Sequence, residues 1–357
     1  MSDPVANEFD ASSPEAAGLT IAVVGATGAV GGDLVSTLHR SALPVRELRL
    51  VASPASAGLT VEVEGRSHRV HAITGDPAEA PVFEGVDLAF LAVPSELARS
   101  LGPVLAGRGI MVVEIGGALA DRAPLVVPAL GLYALPEAAR SRIVSSPSAP
   151  AVVIASILGA LRELAPLAVR GTVLLSAGAA GRAGVDELSA QVVAMFNQRE
   201  PPRRVFSAGL AFDLHTTVGG PAEGGTGEDL QGWTPGERRL AAEVSVLTDI
   251  APSRVAVGLA LAPLFSGVAA ALHIELESEA ELAEIRARLE DGRSLLVGDP
   301  LPGPRRIVGR AALHVGRLRA DPAGQGIHLW AVADNLRFAA TGNALAIATA
   351  LWRDGLI

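Results

Sequence analysis

Short apolar runs alternate with amphipathic stretches through the first third of the chain. Residues 20–24 form a continuous apolar run that ends at Gly25, and a helical pattern begins at residue 31 and extends to residue 38. A second helical pattern covers residues 95–105. Further strand-like runs occupy residues 47–52, 88–93, 111–114 and 125–127. Continuous apolar strands that alternate with helices are typical of βαβ units, so we predict a buried parallel sheet here.

The pattern changes in the middle of the chain. Residues 136–150 form a connector that ends in a stretch rich in serine and proline, and an apolar helical stretch follows at residues 152–164. A domain junction is therefore expected near this connector. Beyond it we predict helices at residues 184–196 and 236–248 and strands at residues 170–176, 255–264, 269–277, 307–318 and 327–332. This mixture indicates an α+β domain.

Two domains are expected, because 357 residues exceed what one hydrophobic core usually supports. We predict that residues 18–134 form the first domain and residues 135–334 the central one. Residues 335–357 contain an alanine-rich helical pattern up to residue 352 and are expected to pack back on the first domain. Residues 1–17 lack the basic start and the apolar stretch of a signal peptide, so we predict a disordered leader.

Composition and charge exclude several classes of partner. The net charge is −9, with no block of lysine and arginine, so nucleic acid and anionic lipid are not expected to bind. Seven histidines without any cysteine leave no zinc-type ligand cluster, and we predict no metal. The uncharged span at residues 255–272 is interrupted by Gly258 and Pro263, which suits adjoining strands and not a membrane helix. A soluble, cytoplasmic protein is expected.

A glycine loop follows the first apolar strand and opens the first helix. Only glycine allows a backbone turn that brings N–H groups and a helix N-terminus close to a pyrophosphate. The spacing favours a Rossmann-type dinucleotide-binding unit, although the same glycines would also serve a purely structural turn. The candidate nucleotide-binding residues in the loop are Gly25, Thr27, Gly28, Ala29, Val30 and Gly31.

The end of the second strand is where a Rossmann domain usually distinguishes its cofactor. A carboxylate there binds the ribose of NAD, and an arginine accepts the additional phosphate of NADP. Residues 50–58 contain neither. Ser53 and Ser56 are candidate donors to a 2′-phosphate, but hydroxyl groups on a loop equally serve turn formation.

Four blocks, at residues 21–31, 48–53, 125–128 and 333–337, together resemble the aspartate-semialdehyde dehydrogenase family in sequence and in order. The resemblance runs over about residues 19–351. It implies an α/β fold with a Rossmann-type parallel-sheet domain and an α+β dimerisation domain. It also implies a homodimer that uses NADPH to reduce aspartyl phosphate. In this family a cysteine thiolate forms a thioester, assisted by a glutamine and a histidine, while basic residues hold the substrate.

The residues that this chemistry needs have been replaced here. The resemblance places Ala149 at the cysteine, Leu175 at the glutamine, Leu261 at an arginine and Val268 at the histidine. We call these four the exchanged positions. A methyl group cannot attack an acyl phosphate, and the chain contains no other thiol. The same departures resemble the Usg-type branch of the family, whose members are regarded as non-catalytic.

Of the other positions that the resemblance assigns, some carry a different residue and some carry the residue of the family. The phosphate-holding arginine falls near Ala120, with Arg122 as an alternative, and the glutamine of the last helix is replaced by Ala346. Glu243 is kept, and we expect it to be unpaired and to repel an acidic substrate. Asn335 is kept as well, either as a cofactor contact or as a helix cap.

The sequence therefore favours a dimeric pseudoenzyme, with no catalytic residue expected. Both retention and loss of NADP binding stay open, and so does pairing with an active paralogue instead of a second copy. The alternative is an NAD(P)-dependent oxidoreductase with thiol-free chemistry, for which Ser148 and His215 are the candidates. We expect Ser148 to act as a helix cap, since no base is evident near it. His273 is expected to be a strand histidine on a solvated or interface surface.

Overall fold

The computed structural model describes residues 18–73, 75–131, 135–216, 232–322 and 324–357. The predicted leader at residues 1–17 lies outside the described residues. Two sheets organise the described residues, and helices pack against both of them. We number strands and helices in chain order.

The first sheet has seven strands and is parallel except for one edge. Its strands are β1 (Leu19–Val24), β2 (Val45–Ala52), β3 (Thr60–Val63), β4 (Arg66–Ala72), β5 (Leu88–Leu91), β6 (Met111–Ile115) and β7 (Ile143–Ser146). They lie in the order β3-β4-β2-β1-β5-β6-β7, and only the β3–β4 pair is antiparallel. The helices of this part are α1 (Ala29–Leu38), α2 (Ser95–Gly107) and α3 (Leu135–Ser141).

Strand β1 explains why the first apolar run is continuous. Ile21 and Val23 pack into a core on one face of the sheet, whereas Ala22 and Val24 pack into a separate core on the other face. Every residue of β1 is buried, because successive side chains of a strand point to opposite faces. The predicted βαβ organisation is confirmed.

Two predictions about this sheet are wrong. Residues 125–127 form no strand; Leu125 makes only an isolated bridge to Ser145. The serine-rich part of the connector is instead strand β7, which pairs in parallel with β6. The first sheet therefore continues to Ser146, beyond the division that we placed between residues 134 and 135.

The second sheet has six strands of mixed direction. Its strands are β8 (Pro166–Leu175), β9 (Val255–Leu261), β10 (Val268–Leu276), β11 (Leu295–Val297), β12 (Leu313–Ala320) and β13 (Gly326–Ala333), in the order β11-β12-β13-β10-β8-β9. Its helices are α4 (Ala149–Ala160), α5 (Gly181–Phe196), α6 (Pro235–Thr248) and α7 (Leu282–Asp291). The uncharged span at residues 255–272 thus contains β9 and the first part of β10, two strands that follow each other in the chain, as predicted, although β8 lies between them in the sheet. The strand predicted at residues 307–318 begins only at Leu313.

The chain then returns to the first sheet. Asp334 caps a π-helical segment (Asn335–Ala340) by accepting hydrogen bonds from the amides of Leu336 and Arg337 at 2.8 and 3.0 Å. Helix α8 (Thr341–Arg353) follows, and its apolar side chains pack into the core of the first sheet. Asn343 donates to the Val126 carbonyl at 2.9 Å and to the Ser146 hydroxyl at 2.8 Å. These two hydrogen bonds fix α8 against the end of β7.

Within the described part of the chain, no helix is long and apolar enough to span a membrane.

Candidate functional site

The glycine loop, residues 25–31, is built by close backbone packing. Gly25 has a φ of +90°, and a Cβ there would lie 2.2 Å from the Ala92 carbonyl oxygen. At Gly31 a Cβ would lie 2.1 Å from the Gly25 carbonyl oxygen. Both positions exclude every other residue, because Gly25 packs against the backbone after β5 and Gly31 packs against the backbone of the loop itself. These two glycines are therefore explained by the turn itself.

Gly28 differs from the other two glycines of the loop. It is exposed, it stands at the N-cap of α1, and a Cβ would approach the Gly25 carbonyl oxygen only to 3.2 Å. No side chain of the described residues caps α1, and its first turn carries no acidic residue. The amides of Ala29 and Val30 lie in that first turn, where backbone N–H groups have no carbonyl acceptor within the helix. Amides of this kind, at the positive end of the helix, fit a pyrophosphate.

Two serines stand beside the loop. Ser53 is exposed, and the half-buried Ser56 accepts a hydrogen bond from the Thr27 hydroxyl at 3.3 Å. This contact ties the loop to the segment that follows β2. The residues of the glycine loop therefore fit the pyrophosphate part of a dinucleotide. The segment after β2 offers the hydroxyl groups of Ser53 and Ser56 to a 2′-phosphate.

An ion pair connects α1 to the C-terminal segment. Arg337 Nε lies 2.7 Å from Asp33 Oδ1, and the same guanidinium donates to the hydroxyls of Thr37 and Ser36. Burial raises the pKa of Asp33 above its usual value, although the Thr341 hydroxyl and the Arg337 charge oppose that shift. The helix that presents the glycine loop is thus held by residues some 300 positions away in the chain.

Three of the exchanged positions are neighbours in the second sheet. Leu175 of β8 is in register with Leu261 of β9 on one side and with Val268 of β10 on the other. Leu175 and Val268 are buried in the main apolar core, and Leu261 and Ala149 pack against the same core. The structure thus places apolar side chains at all four positions, and none of these side chains can attack a carbonyl or move a proton.

Ser148 precedes the first residue of α4, and its role differs from the one we predicted. Its hydroxyl does not cap α4; it donates instead to Glu243 Oε2, and its backbone amide lies 3.1 Å from the same oxygen. The prediction of a capping serine with no base nearby is therefore wrong. Glu243 lies 95 positions away in the sequence, so local spacing gave no sign of this contact.

Glu243 is also paired, contrary to our prediction. Arg239 Nε lies 2.9 Å from Glu243 Oε1, while the Glu243 side chain is only 3% exposed. A Cβ on Gly117 would lie 2.4 Å from Glu243 Oε1, so the backbone at Gly117 approaches this carboxylate closely. The spacing of four residues along α6 is the signal that would have found the pair. Its charge is balanced within the protein.

A second buried carboxyl lies on β6. Glu114 Oε2 accepts hydrogen bonds from the Ser145 hydroxyl at 2.5 Å and from the Leu119 amide at 3.3 Å. Burial raises the pKa of Glu114, although the Ser145 hydroxyl and the amides of Ala118 and Leu119 oppose that shift. The sequence analysis missed this residue, because an acidic residue within an apolar run carries no signal of its hydrogen-bond partners.

The remaining candidates have structural contacts. His215 Nε2 lies 2.6 Å from the Gly209 carbonyl oxygen, and its backbone pairs with Leu261. Asn335 Oδ1 accepts from the Gly267 amide at 2.6 Å, and the cap of this segment is Asp334 and not Asn335. Arg122 is 55% exposed, 3.6 Å from Asp121.

The histidines are not all dispersed. His273, Asp321 and His328 each offer one ligand atom, and these atoms lie within 4.8 Å of one another. The prediction that the histidines form no ligand cluster is wrong, because β10 and β13 pair His273 directly with His328. His273 is half-buried on its strand.

Comparison with known proteins agrees with this architecture. The chain matches the model of a semialdehyde dehydrogenase NAD binding domain at residues 20–138. Residues 158–338 match the model of a semialdehyde dehydrogenase dimerisation domain.

Individual relatives align over nearly their whole length. A USG-1 protein homolog from Azotobacter vinelandii is 34% identical, with 94% of this chain and 98% of the relative covered. An aspartate-semialdehyde dehydrogenase from Rickettsia bellii is 29% identical, with 93% and 97% covered. The crystal structure of aspartate semialdehyde dehydrogenase II from Vibrio cholerae superposes with a TM-score of 0.86 at 28% identity, covering 95% of this chain and 99% of the other. The chain belongs to the semialdehyde dehydrogenase family and has its two-domain α/β fold, a Rossmann-like NAD-binding domain and a dimerisation domain.

Proposed function

We propose that this protein is a homodimeric pseudoenzyme of the aspartate-semialdehyde dehydrogenase family that still binds NADP(H). On this proposal it belongs to the Usg-type branch and acts by binding, in the cytoplasm, without forming a thioester. The observation that carries the proposal is the apolar character of all four exchanged positions, three of which are register neighbours. Restoring one residue would leave the other three apolar.

Retention of the nucleotide site is supported by Gly28. An exposed glycine at an N-cap is unfavourable for helix stability compared with serine, aspartate or asparagine. Gly28 has no steric need to be glycine as severe as that of Gly25 or Gly31. A bound pyrophosphate accounts for it, because a side chain at Gly28 would occupy the space in front of the amides of α1.

Calorimetric and thermal-shift titration with NADPH, NADH and ATP tests this proposal. Ligand that binds only the folded state raises the unfolding temperature, so we expect a rise with NADPH. Gly28→Asp is the most informative variant, since aspartate is a good N-cap but places a negative charge against the phosphates. We expect this variant to be at least as stable as the parent and to lose NADPH binding.

Two matched variants control this experiment. Gly28→Asn adds a side chain of similar size without the charge, and it should weaken binding less than Gly28→Asp does. Gly32→Ala, whose Cβ would be 3.6 Å from the nearest contact, should leave binding unchanged. If the parent shows no shift with any of the three nucleotides, the glycine loop is an inherited turn and the proposal of cofactor binding fails.

The dimer is proposed from the match to a dimerisation domain, which covers residues 158–338. Light scattering coupled to gel filtration should give twice the 36.3 kDa of the chain. Co-expression of differently tagged copies with an active relative then tests mixed dimers. We expect self-pairing; recovery of mixed dimers alone would favour the alternative of a partner subunit for an active paralogue.

One observation favours a second candidate function, a thiol-free NAD(P)-dependent reductase. The Ser148 hydroxyl is hydrogen-bonded to the buried carboxylate of Glu243, at the start of α4 beside Ala149. In such a reaction the hydride of the nicotinamide would pass to a carbonyl carbon, and Ser148 would give its proton to the carbonyl oxygen while it takes a proton from solvent water, so that the hydroxyl is restored. NADPH consumption with a panel of small aldehydes tests this candidate. Activity that Ser148→Ala abolishes and Ser148→Thr retains would support it, and no consumption with any aldehyde would exclude it for that panel.

A further inference from the structure

Three potential metal ligands meet at one end of the second sheet. His273 of β10 and His328 of β13 are a directly paired cross-strand couple, and their ring centroids are 4.6 Å apart. Asp321 follows β12 and begins the turn that leads into β13. Two paired strands and the turn that follows a third strand thus bring two imidazoles and one carboxylate together.

The separations are those of a compact site. His273 Nε2 lies 2.7 Å from Asp321 Oδ2, and His328 Nε2 lies 3.9 Å from Asp321 Oδ1. Ligand atoms around a tetrahedral zinc ion lie about 3.3 Å apart, given metal–ligand distances of about 2.0 to 2.1 Å. Small rotations of the side chains therefore suffice to place an ion between all three.

The turn between β12 and β13 holds Asp321 in place. The Asp321 amide donates to the Gly326 carbonyl at 2.9 Å, and the Gly324 amide donates to the Asp321 carbonyl at 3.1 Å. Gly326 also leaves room for the imidazole, since a Cβ there would lie 2.8 Å from His273 Nε2. The backbone around the cluster is therefore shaped to admit the His273 ring.

The surrounding charges are nearly balanced. Arg170 stands opposite His273 on β8, but it is paired with Glu275 at 2.8 Å. Arg319 stands opposite His328 on β12. The side chains of His273 and Asp321 are about 20% and 19% exposed, and that of His328 is 38% exposed. An ion can therefore reach the cluster from solvent and still lose part of its hydration there.

We propose that His273, Asp321 and His328 form a binding site for a divalent transition metal of the zinc class. Two imidazoles and a carboxylate are ligands that Zn²⁺ accepts, with a fourth position left for water. His273 lies five residues along β10 from Val268, a separation of about 16 Å at the rise of a strand. The metal therefore acts away from the exchanged positions, where it joins β10 and β13 to the end of β12.

Titration of the chelator-treated, full-length protein with Zn²⁺ and Co²⁺ tests the site. We expect one ion per chain, a rise of the unfolding temperature with Zn²⁺, and the intense visible bands of four-coordinate Co²⁺. His273→Ala and His328→Ala should each lower the affinity at least a hundredfold. Asp321→Asn keeps a hydrogen-bonding group beside His273 but removes the charge, so it should fold normally and bind at least tenfold more weakly.

Strand histidines elsewhere supply the control. His68→Ala and His71→Ala change residues of β4 in the first sheet and should leave the stoichiometry and affinity unchanged. Far-ultraviolet circular dichroism confirms that each variant is folded. Binding that is weaker than millimolar, or that responds equally to the β4 variants, would overturn the proposal and leave the three residues as a metal-free hydrogen-bonded cluster.

Discussion

The glycine loop of the first sheet and the exchanged positions of the second sheet differ in the groups that they offer to a ligand. The loop retains Gly28 at an uncapped helix N-terminus, although a capping residue would make α1 more stable. The exchanged positions carry only alanine, leucine and valine, all packed on or in the main apolar core. Apolar residues at buried positions are more stable than polar groups that lack partners. The comparison sets a region with the backbone features of a nucleotide site against a region that offers only apolar side chains.

Glu243 differs from both regions, because it is a charged residue whose oxygens are bonded within the protein. Its carboxylate is kept, but Ser148 and Arg239 now occupy its oxygens. An acidic group that is satisfied by the protein itself is not free to hold a charged group of a substrate. The polar groups of Ser148, Arg239 and Glu243 are therefore bonded to one another.

The largest expected effect is at the glycine loop. Gly31→Ala places a Cβ 2.1 Å from the Gly25 carbonyl oxygen, so α1 must move away from β1. We expect a loss of about 3 kcal/mol or more in the free energy of unfolding, together with loss of NADPH binding. Denaturant unfolding measures this loss. Gly32→Ala, the adjacent matched control, should be neutral or slightly stabilising; equal losses in both variants would contradict the packing argument.

At the exchanged positions the expected cost is smaller. Val268→His introduces the residue that the resemblance implies at a position that is 1% exposed and surrounded by apolar side chains. Because its polar atoms meet no partner there, we expect a loss of about 2 to 3 kcal/mol. The half-buried Leu261 supplies the comparison, and Leu261→His should cost less than about 1 kcal/mol. A stable Val268→His protein would show that the pocket still accommodates the histidine.

The smallest expected effect concerns pH. Because burial raises the pKa of Glu114 from its ordinary value of 4.5, the folded protein binds this proton more tightly than the unfolded chain does. Stability should therefore decline as the pH rises through the raised pKa. Glu114→Gln should remove that decline, which unfolding curves recorded at increasing pH above 4.5 would measure.

Glu187 provides a control of opposite sign. Burial alone would raise its pKa, but the amides of Phe206, Val205 and Arg204 hold the pKa of Glu187 below its usual value. It should therefore contribute stability at neutral pH and lose that contribution as the pH falls. Glu187→Gln should flatten the acid side of the profile. The same change of slope in both variants would refute the assignment of opposite pKa shifts.

The buried apolar strands of the first sheet were predictable from sequence, whereas an exposed strand and a buried polar strand were not. Strands β1, β5 and β6 are covered on both faces, so their apolar runs are unambiguous. Strand β4, with the sequence from Arg66 to Ala72, lies next to the edge strand β3, is largely exposed and shows no apolar run. Strand β7 was missed because its two serines are buried through hydrogen bonds to Glu114 and Asn343, which lie far away in the chain.

Residues of the candidate site could be assigned from the sequence, but contacts between distant residues could not. The resemblance assigns the exchanged positions one by one, and that assignment stays a prediction. The contact between Ser148 and Glu243 was not predictable, since it joins residues 95 positions apart. Pairing of His273 with His328 depends on the register between β10 and β13, and no periodicity within either strand specifies that register.

Steady-state measurement of phosphate-dependent NADP⁺ reduction, with aspartate semialdehyde as substrate, tests the central claim most directly. The purified protein should be assayed beside an active relative and beside that relative with its cysteine replaced by alanine. We predict a rate no higher than that of the alanine variant, in a sample that binds NADPH. A rate clearly above that of the alanine variant would contradict the claim that this protein has kept the cofactor site and lost the reaction.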